Sequence, residues 1–388
     1  MKVLYANPIF FNYRLPFYKR LNELFGGTFY ILYSVTRYKG RYDQLLEEIV
    51  NVMGSNALPF EGERLFNTYE KSFKYNTEKG KKIPLTRGLM RTIHKIKPDV
   101  LITEGFYQWT PLVALYAIIH HIPLFMGYER TCHTERNASW IKKIHRKITD
   151  KFIDGYLVNG SETKKYLLTL GINPDKIHVG GMNADSEGLI NSIEKLTVQD
   201  KENFKMKYKN GTGLIYLFSG RICHRKGVPY LLEAWKEHIK KYQYDTLVLI
   251  GYGDLYDTLK KQYSNESSIF LEGRIDYKNV YKYYAIADVF ILPTIEDNWS
   301  LVIPEAMACG LPVATSIYNG CYPELIKHNV NGTTFDTFKK DSIIEALDYF
   351  HHHNLKEMGK QSIELEKSFN TENCALREYE AIIKTINK

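Results

Sequence analysis

Apolar positions along this chain fall into two successive series of short runs, separated by amphipathic stretches. In the first series residues 2–6 read as a strand, 13–25 as a helix and 28–33 as a second strand. Residues 36–82 are polar and rich in tyrosine, and no order of elements follows from them. Helical periodicity over 85–96 stops at Lys97-Pro98, because proline disfavours helix in the residue before it. A buried strand is expected at 99–103, a helix at 111–121, a strand at 123–128, a helix at 140–149 and a strand at 155–158. Ser161 is placed to cap a helix over 162–170, and Gly171 to end it in the left-handed conformation.

The stretch 186–213 is polar with little periodicity beyond a short helix, and reads as a domain boundary. A second series follows, with strands at 214–218, 247–250, 269–271, 289–292 and 313–315. Helices intervene at 228–242, 255–263, 277–285, 304–309 and 322–327. Strands alternating with helices argue for right-handed βαβ units and parallel sheets. The expected class is α/β: two Rossmann-like parallel-sheet domains, 1–190 and 205–370, facing each other across a cleft. Residues 371–388 carry a terminal helix, periodic over 375–386, that could pack on either domain, the first included.

The chain's 388 residues are enough for two cores, and 44% hydrophobic with 25% charged residues is ordinary globular composition. No apolar run is long enough to span a bilayer, and the opening residues read as a strand rather than a signal peptide. Five scattered cysteines without a CxxC pair suggest reduced thiols in a cytoplasmic protein. The run His351-His352-His353 lacks partners at metal-ligand spacing and reads as a solvated helix face. A net charge of +8 favours phosphate-bearing substrates or an anionic membrane. Nucleic acid is not expected, since no helix-turn-helix, zinc-finger or RNP-like pattern is present.

Candidate chemistry gathers at strand ends of the second series, where open α/β sheets bind ligands. Gly220 and Arg221 follow one strand, and Lys226 precedes the next helix. Such a pair can converge on one anion, helped by helix-start N–H groups, or can simply be two surface cations flanking a turn. Arg225 and His224, between them, read as solvent-facing. Gly251-Tyr-Gly253 is a tight turn on its own terms, and Gly273-Arg274-Ile275 ends another strand where backbone could meet a nucleobase edge. Glu296, Asp297 and Glu305 bracket a loop, Asn298-Trp299-Ser300-Leu301, ahead of a helix start that suits a pyrophosphate. Carboxylates there accept strong hydrogen bonds from sugar hydroxyls, although acids also favour helix starts for electrostatic reasons alone.

As an ordered set, SGR at 219–221 with KG at 226–227, GYG at 251–253, EGR at 272–274, ADVFILPT at 287–294 and EDNWSLVIPEAMACGLPVATS at 296–316 resemble the retaining glycosyltransferases of family 4. Asn319-Gly320, Glu324 and Asn331-Gly332 extend the pattern, which is strong over about 213–335 and weak in the first half. The resemblance implies a GT-B fold and a nucleoside-diphosphate sugar bound by the second domain, UDP-sugar favoured and GDP-sugar possible. Arg221 and Lys226 match the pair that neutralises the leaving diphosphate, and Glu305 the acid on the donor ribose. Asp297 falls where the family usually has Glu, so either Glu296 or Asp297 contacts the transferred sugar. Ser300 stands where Gly is usual, and the backbone of Trp299, Ser300 and Leu301 would meet phosphates and sugar. In the first half, Tyr13, Arg14 and Glu104 line the acceptor side by position. His133, favoured over His120 and His121, matches a histidine near the reacting centre. The implied reaction is sugar transfer with retention to a glycan or lipid-linked hydroxyl, in polysaccharide or glycolipid synthesis. No cofactor is implied, the nucleotide sugar being a co-substrate, and no metal is expected without an Asp-x-Asp motif. A nucleotide-sugar epimerase and a non-catalytic nucleotide-sugar binder are the alternatives.

Lys142, Lys143, Arg146, Lys147 and Lys151 surround an apolar stripe of Ile141, Ile144, Ile148 and Phe152. Contact with the inner face of an anionic membrane is one reading. The favoured reading places the stripe in the core and the cations in solvent, because this helix must cover the first sheet.

Overall fold

The computed structural model describes residues 1–40, 43–69, 80–184, 186–209 and 211–387. It divides into two compact units, Met1–Gly181 with Thr371–Lys388, and Met182–Asn370.

Among the described residues, nine strands belong to the first unit: β1 (Val3–Ala6), β2 (Phe29–Ser34), β3 (Ala57–Phe60), β4 (Glu63–Tyr69), β5 (Gly80–Thr86), β6 (Val100–Glu104), β7 (Leu124–Tyr128), β8 (Gly155–Val158) and β9 (Ile177–Val179). Seven form a sheet in the order β3-β2-β1-β6-β7-β8-β9 with every pairing parallel, and β4 and β5 form an antiparallel pair. The expected helix over 85–96 is shorter. Residues to Thr86 continue β5, and the helix Leu89–Ile96 begins only after Gly88, whose φ of +86° breaks the chain direction. Within 36–82 lie the helix Asp43–Met53, β3, β4 and the start of β5, with residues 41–42 and 70–79 outside the described residues. Gly160, rather than Ser161, occupies the cap position of the helix Ser161–Thr169, and no side chain caps it. Gly171 follows with φ +80°.

The second unit holds β10 (Ile215–Ser219), β11 (Thr246–Ile250), β12 (Ile269–Gly273), β13 (Val289–Leu292), β14 (Val313–Ser316) and β15 (Gly332–Phe335). They form one parallel sheet ordered β12-β11-β10-β13-β14-β15. Helices cover both faces of such a sheet, so its central strands read as near-continuous apolar runs. All four residues of β13 are buried.

The polar stretch 186–213 lies inside the second unit and contains the helices Ser186–Glu194 and Val198–Lys205. The latter buries no residue, which is why it reads as a linker, and Thr197 with Asp200 closes its start in a reciprocal capping box. The terminal helix Thr371–Ile386 belongs to the first unit. Its Tyr379 ring lies 4.8 Å from Phe25, and Arg20 pairs with Glu372 at 2.5 Å.

The helix Trp140–Asp150 reverses the expected arrangement. Arg146 is buried against Glu135 at 3.0 Å and sits over the rings of Phe106, Tyr128 and Tyr166. At 3.6 residues per turn, Ile144 and Ile148 stand roughly 160° around the helix from Arg146. Both are exposed, as are Ile141 and Phe152. The cation turned inward because aromatic faces and a carboxylate receive it there, and the isoleucines turned out.

Candidate functional site

Strand order reverses between β10 and β13, so the loops leaving these two strands diverge around a crevice suited to a ligand. The first loop runs from Gly220 and Arg221 through a 3-10 turn, His224–Lys226, into the helix Val228–Lys241. Gly227 between them has φ +71°, and a β-carbon there would lie 1.7 Å from the Pro293 carbonyl oxygen. Only glycine permits this approach, which brings the loop after β13 against the first loop. The Ile295 N–H donates to the Arg225 carbonyl at 3.0 Å.

Asp297 stands at this junction. Lys226 Nζ lies 2.5 Å from its Oδ2, and Arg225 Nη1 lies 3.8 Å away. Burial opposes the charge on Asp297, but Lys226 outweighs it, and the carboxyl titrates below the ordinary aspartate range. Neighbouring backbone holds the residue: Asp297 N–H donates to the Tyr318 carbonyl at 3.2 Å, and Gly320 N–H to the Asp297 carbonyl at 3.0 Å. Asn319, fully buried, ties this junction to the next strand by donating to Thr315 Oγ1 at 3.1 Å.

Arg221 and Lys226 pair with different acids here: Arg221 Nη2 lies 3.5 Å from Asp254, both of these side chains being largely exposed, while Lys226 holds Asp297. One expectation changes. Arg225 is not simply solvent-facing. Its guanidinium donates to the Glu296 carbonyl at 2.8 Å. The 3-10 turn is the cause, because it folds 225 and 226 back onto the second loop and leaves 221 at the strand end. Backbone donors are also engaged. Trp299 N–H reaches Asp297 Oδ1 and Ser300 N–H reaches Asn319 Oδ1, each at 3.3 Å. Asn298 is half-buried and Ser300 buried, while Leu301 precedes the helix Val302–Ala308.

Glu305 lies buried on that helix. Its Oε2 accepts from the Tyr284 hydroxyl at 3.0 Å, and Oε1 from Tyr277 at 3.5 Å, both on the helix Tyr277–Ile286. Burial, then Glu305 itself, pushes the Tyr284 phenol well up, so it remains a donor. The two tyrosines escaped the sequence reading. Gly253 follows β11, and Arg274 and Ile275 follow β12, Arg274 exposed and Ile275 half-buried. Apart from Glu305 on its helix, the second-unit candidates thus occupy loops after four adjacent strands, β12, β11, β10 and β13.

In the first unit the order reverses between β1 and β6. Glu104 ends β6 and accepts from Asn7 Nδ2 at 2.5 Å and the Tyr5 hydroxyl at 2.8 Å, with Arg14 Nη1 3.4 Å away. Arg14 in turn lies 5.1 Å from the Phe17 ring centre. These groups line a cavity of about 20 Å³ that Arg377 and Glu378 of the terminal helix also line. Such a space admits about one water and no sugar. Burial drives the Glu378 carboxyl up to about 7, opposed by Arg14 and assisted by Glu104. Nothing in the local sequence around Arg14 or Glu104 announces Glu378. Tyr13 stacks on Phe11 at 5.2 Å, and burial raises its phenol. His133 sits in the turn after β7, where Glu135 N–H donates to the Thr131 carbonyl and the His133 carbonyl accepts from Arg136. The cavity lining includes Arg14 and Glu104 and neither Tyr13 nor His133.

The His351 reading is also corrected. His351 and buried His238 both reach Asp245 Oδ2, at 2.7 and 2.8 Å, and His351 stacks on Tyr242. These are hydrogen-bond distances, and Asp245 Oδ1 accepts the Leu214 N–H at 2.8 Å. The trio clamps the helix Val228–Lys241, the start of β11 and the turn Phe350–His352.

Residues 199–365 match the family model of the glycosyl transferases group 1. An uncharacterized glycosyltransferase of Methanocaldococcus jannaschii is 31% identical over 195 residues, 50% of this chain and 46% of the relative. The amylovoran biosynthesis glycosyltransferase AmsK of Erwinia amylovora is 30% identical over 175 residues, 43% of this chain and 40% of the relative. The chain thus spans under half the length of these two curated relatives. Among solved structures, Anabaena HepE in complex with UDP matches with a TM-score of 0.75 and 14% identity, over 99% of this chain and 100% of that one. At that identity the likeness shows the fold: an α/β chain of two parallel-sheet, Rossmann-like units, as in its GT-B neighbours.

Proposed function

We propose that this chain is a retaining glycosyltransferase that moves a sugar from a nucleoside-diphosphate sugar to a hydroxyl of a glycan or lipid-linked acceptor, in polysaccharide or glycolipid synthesis. The observation that carries this reading is the Lys226–Asp297 pair at the strand-order reversal, inside the segment matching the group 1 family. UDP is the favoured leaving group, because HepE, similar in fold, was solved with UDP and with UDP-glucose.

In this reading Lys226 turns from Asp297 towards the diphosphate, and Arg221 leaves exposed Asp254 to join it. Both then stabilise charge that grows as the anomeric C–O bond breaks. Glu305, held by Tyr284 and Tyr277, accepts from ribose hydroxyls. The carboxylate at 296 or 297 holds the transferred sugar. The acceptor oxygen bonds to the anomeric carbon on the face that the phosphate leaves, and its proton passes to a leaving phosphate oxygen. No nucleophilic side chain or metal takes part. Gly220, Gly253, Arg274 and Ile275 shape the nucleotide pocket. Loop 298–301 closes on the donor once Asp297 and Asn319 release its N–H groups. Tyr13, Arg14, Glu104 and His133 are assigned to the acceptor side, where Arg14 and Glu104 must part to admit a sugar.

Thermal unfolding with a panel of nucleoside diphosphates and nucleotide sugars tests donor binding, since a native-state ligand raises the midpoint. The expected result is a rise with UDP and a UDP-sugar. Incubation with acceptors should then release nucleoside diphosphate and give a product with the donor's anomeric configuration by NMR. An inverted product would remove retention, and conversion of donor alone would make the chain an epimerase.

A further inference from the structure

The exposed apolar face of the first unit is larger than one helix. Trp140 is 70% exposed, and Ile141, Ile144, Ile148 and Phe152 lie between 42% and 61%. The helix Thr110–His120 exposes Leu115, Ile118 and Ile119 beside it. A groove of about 410 Å³ runs between the two, lined by Leu115, Ile118, Thr149 and Phe152 among others. Soluble surfaces seldom leave so many large apolar side chains contiguous without a partner for them.

Charge tells which partner. Lys142, Lys143, Lys147 and Lys151 are all exposed on or just after the same helix, and no acid lies between Trp140 and Thr149. The helix Thr110–His120 contains no Asp or Glu. An apolar strip with a tryptophan at one end and lysines along its flanks suits the boundary between acyl chains and anionic headgroups. A protein partner would have to supply an apolar face ringed by acids; a second copy of this patch would bring lysines against lysines.

We propose that these two helix faces form the surface by which the first unit lies on an anionic bilayer. The isoleucines and Trp140 enter the interface, the groove receives acyl chains, and the lysines meet lipid phosphates. Buried Arg146 sets the orientation, because its pairing with Glu135 fixes which side of the helix faces outward. This does not depend on the donor reading, and its test uses no nucleotide.

The chain carries its own reporter. Trp109, Trp235 and Trp299 are buried, and Trp140 is not. The full chain is mixed with vesicles of phosphatidylglycerol and phosphatidylcholine, or of phosphatidylcholine alone. Co-sedimentation with the anionic vesicles is expected, with a blue shift of tryptophan emission that Trp140→Phe abolishes and brominated lipid quenches. Lys142→Ala with Lys147→Ala should weaken binding on the order of thirtyfold, at roughly a tenfold loss per 1.4 kcal/mol. Ile144→Asp with Ile148→Asp should abolish it while leaving circular dichroism unchanged, since both positions are exposed. Absence of binding to anionic vesicles, or binding indifferent to these substitutions, would overturn the proposal. So would a dimer in sedimentation velocity that the isoleucine substitutions dissolve, without vesicle binding.

Discussion

Each unit reverses its strand order once, and at each reversal a carboxylate is gripped by loops from the two central strands. In the second unit Asp297 meets Lys226; in the first, Glu104 meets Asn7 and Arg14. The positions correspond, but the surroundings do not. Glu104 also binds Tyr5, and the terminal helix brings Glu378 to its cavity, leaving about 20 Å³. Asp297 shares its oxygens with Lys226, with Arg225 at 3.8 Å and with a backbone N–H, all of them on loops. The same edge of the same kind of sheet can therefore be a packed polar core or a place where charge is held ready for a ligand. What separates the two is where the partners come from: loop cations at Asp297, and a strand tyrosine with the terminal helix closing the cavity at Glu104.

The sharpest way to break this contrast is Lys226→Ala. It should lower turnover by about 10²–10³-fold, the usual scale for removing one group that stabilises developing charge. Steady-state release of nucleoside diphosphate measures it. The thermal midpoint should also fall, because Asp297 is left partly buried without its cation, and Lys226→Ala with Asp297→Asn should recover much of that fall. A variant that lost stability but kept its turnover would make the Asp297 pair a structural one, like that of Glu104.

Glu378→Gln probes the other side. Its folded carboxyl is raised from the ordinary 4.5 to about 7, so the folded state holds the proton more tightly than the unfolded chain. Wild-type stability is then intact below about pH 4.5, declines as pH rises to 7, and stays reduced above it. Gln removes the decline. The variant should match wild type near pH 5 and exceed it at pH 8 by at most about 3 kcal/mol, at 1.36 kcal/mol per unit. Nucleotide affinity should not change. Equal stability of the two proteins at both pH values would show that Glu378 is not confined with Glu104.

Glu305→Gln should raise KM for the nucleotide sugar about tenfold, from weakening a charged hydrogen bond, with kcat less affected. The contrast to check is with Glu104→Gln, which should cost stability and leave donor KM alone.

The second unit was the more legible in sequence for a physical reason. Its parallel strands are buried on both faces, so VFIL at 289–292 announces itself, and its candidate groups lie in loops directly after such strands. Which arginine joins Lys226 beside Asp297 was not legible, because a 3-10 turn over three residues brings Arg225 there and leaves Arg221 at the strand end. In the first unit Glu378 reaches the cavity from the far end of the chain, and no local pattern encodes that return. The helix Trp140–Asp150 shows the remaining limit. Periodicity defined its apolar face, but the direction of that face depended on Arg146 finding Glu135 and three rings.

The smallest effect concerns scaffold rather than site. Residues 186–213 read as a boundary because the helix Val198–Lys205 buries no residue fully and meets the core through half-buried Phe204, so local bonds must help hold its start. Thr197 N–H donates to Asp200 Oδ2 at 3.0 Å, and Asp200 N–H to Thr197 Oγ1 at 3.1 Å. Thr197→Ala removes the second bond and should cost about 1 kcal/mol. Amide hydrogen exchange in 198–205 should then quicken roughly fivefold, since that energy corresponds to such a factor. The strands β10 and β13 should stay protected, as they are buried far more deeply than this helix. Equal quickening in β10 would mean that the cap supports the sheet as well. In that case the second unit, like the first, would owe its central loops to a segment that reads as peripheral.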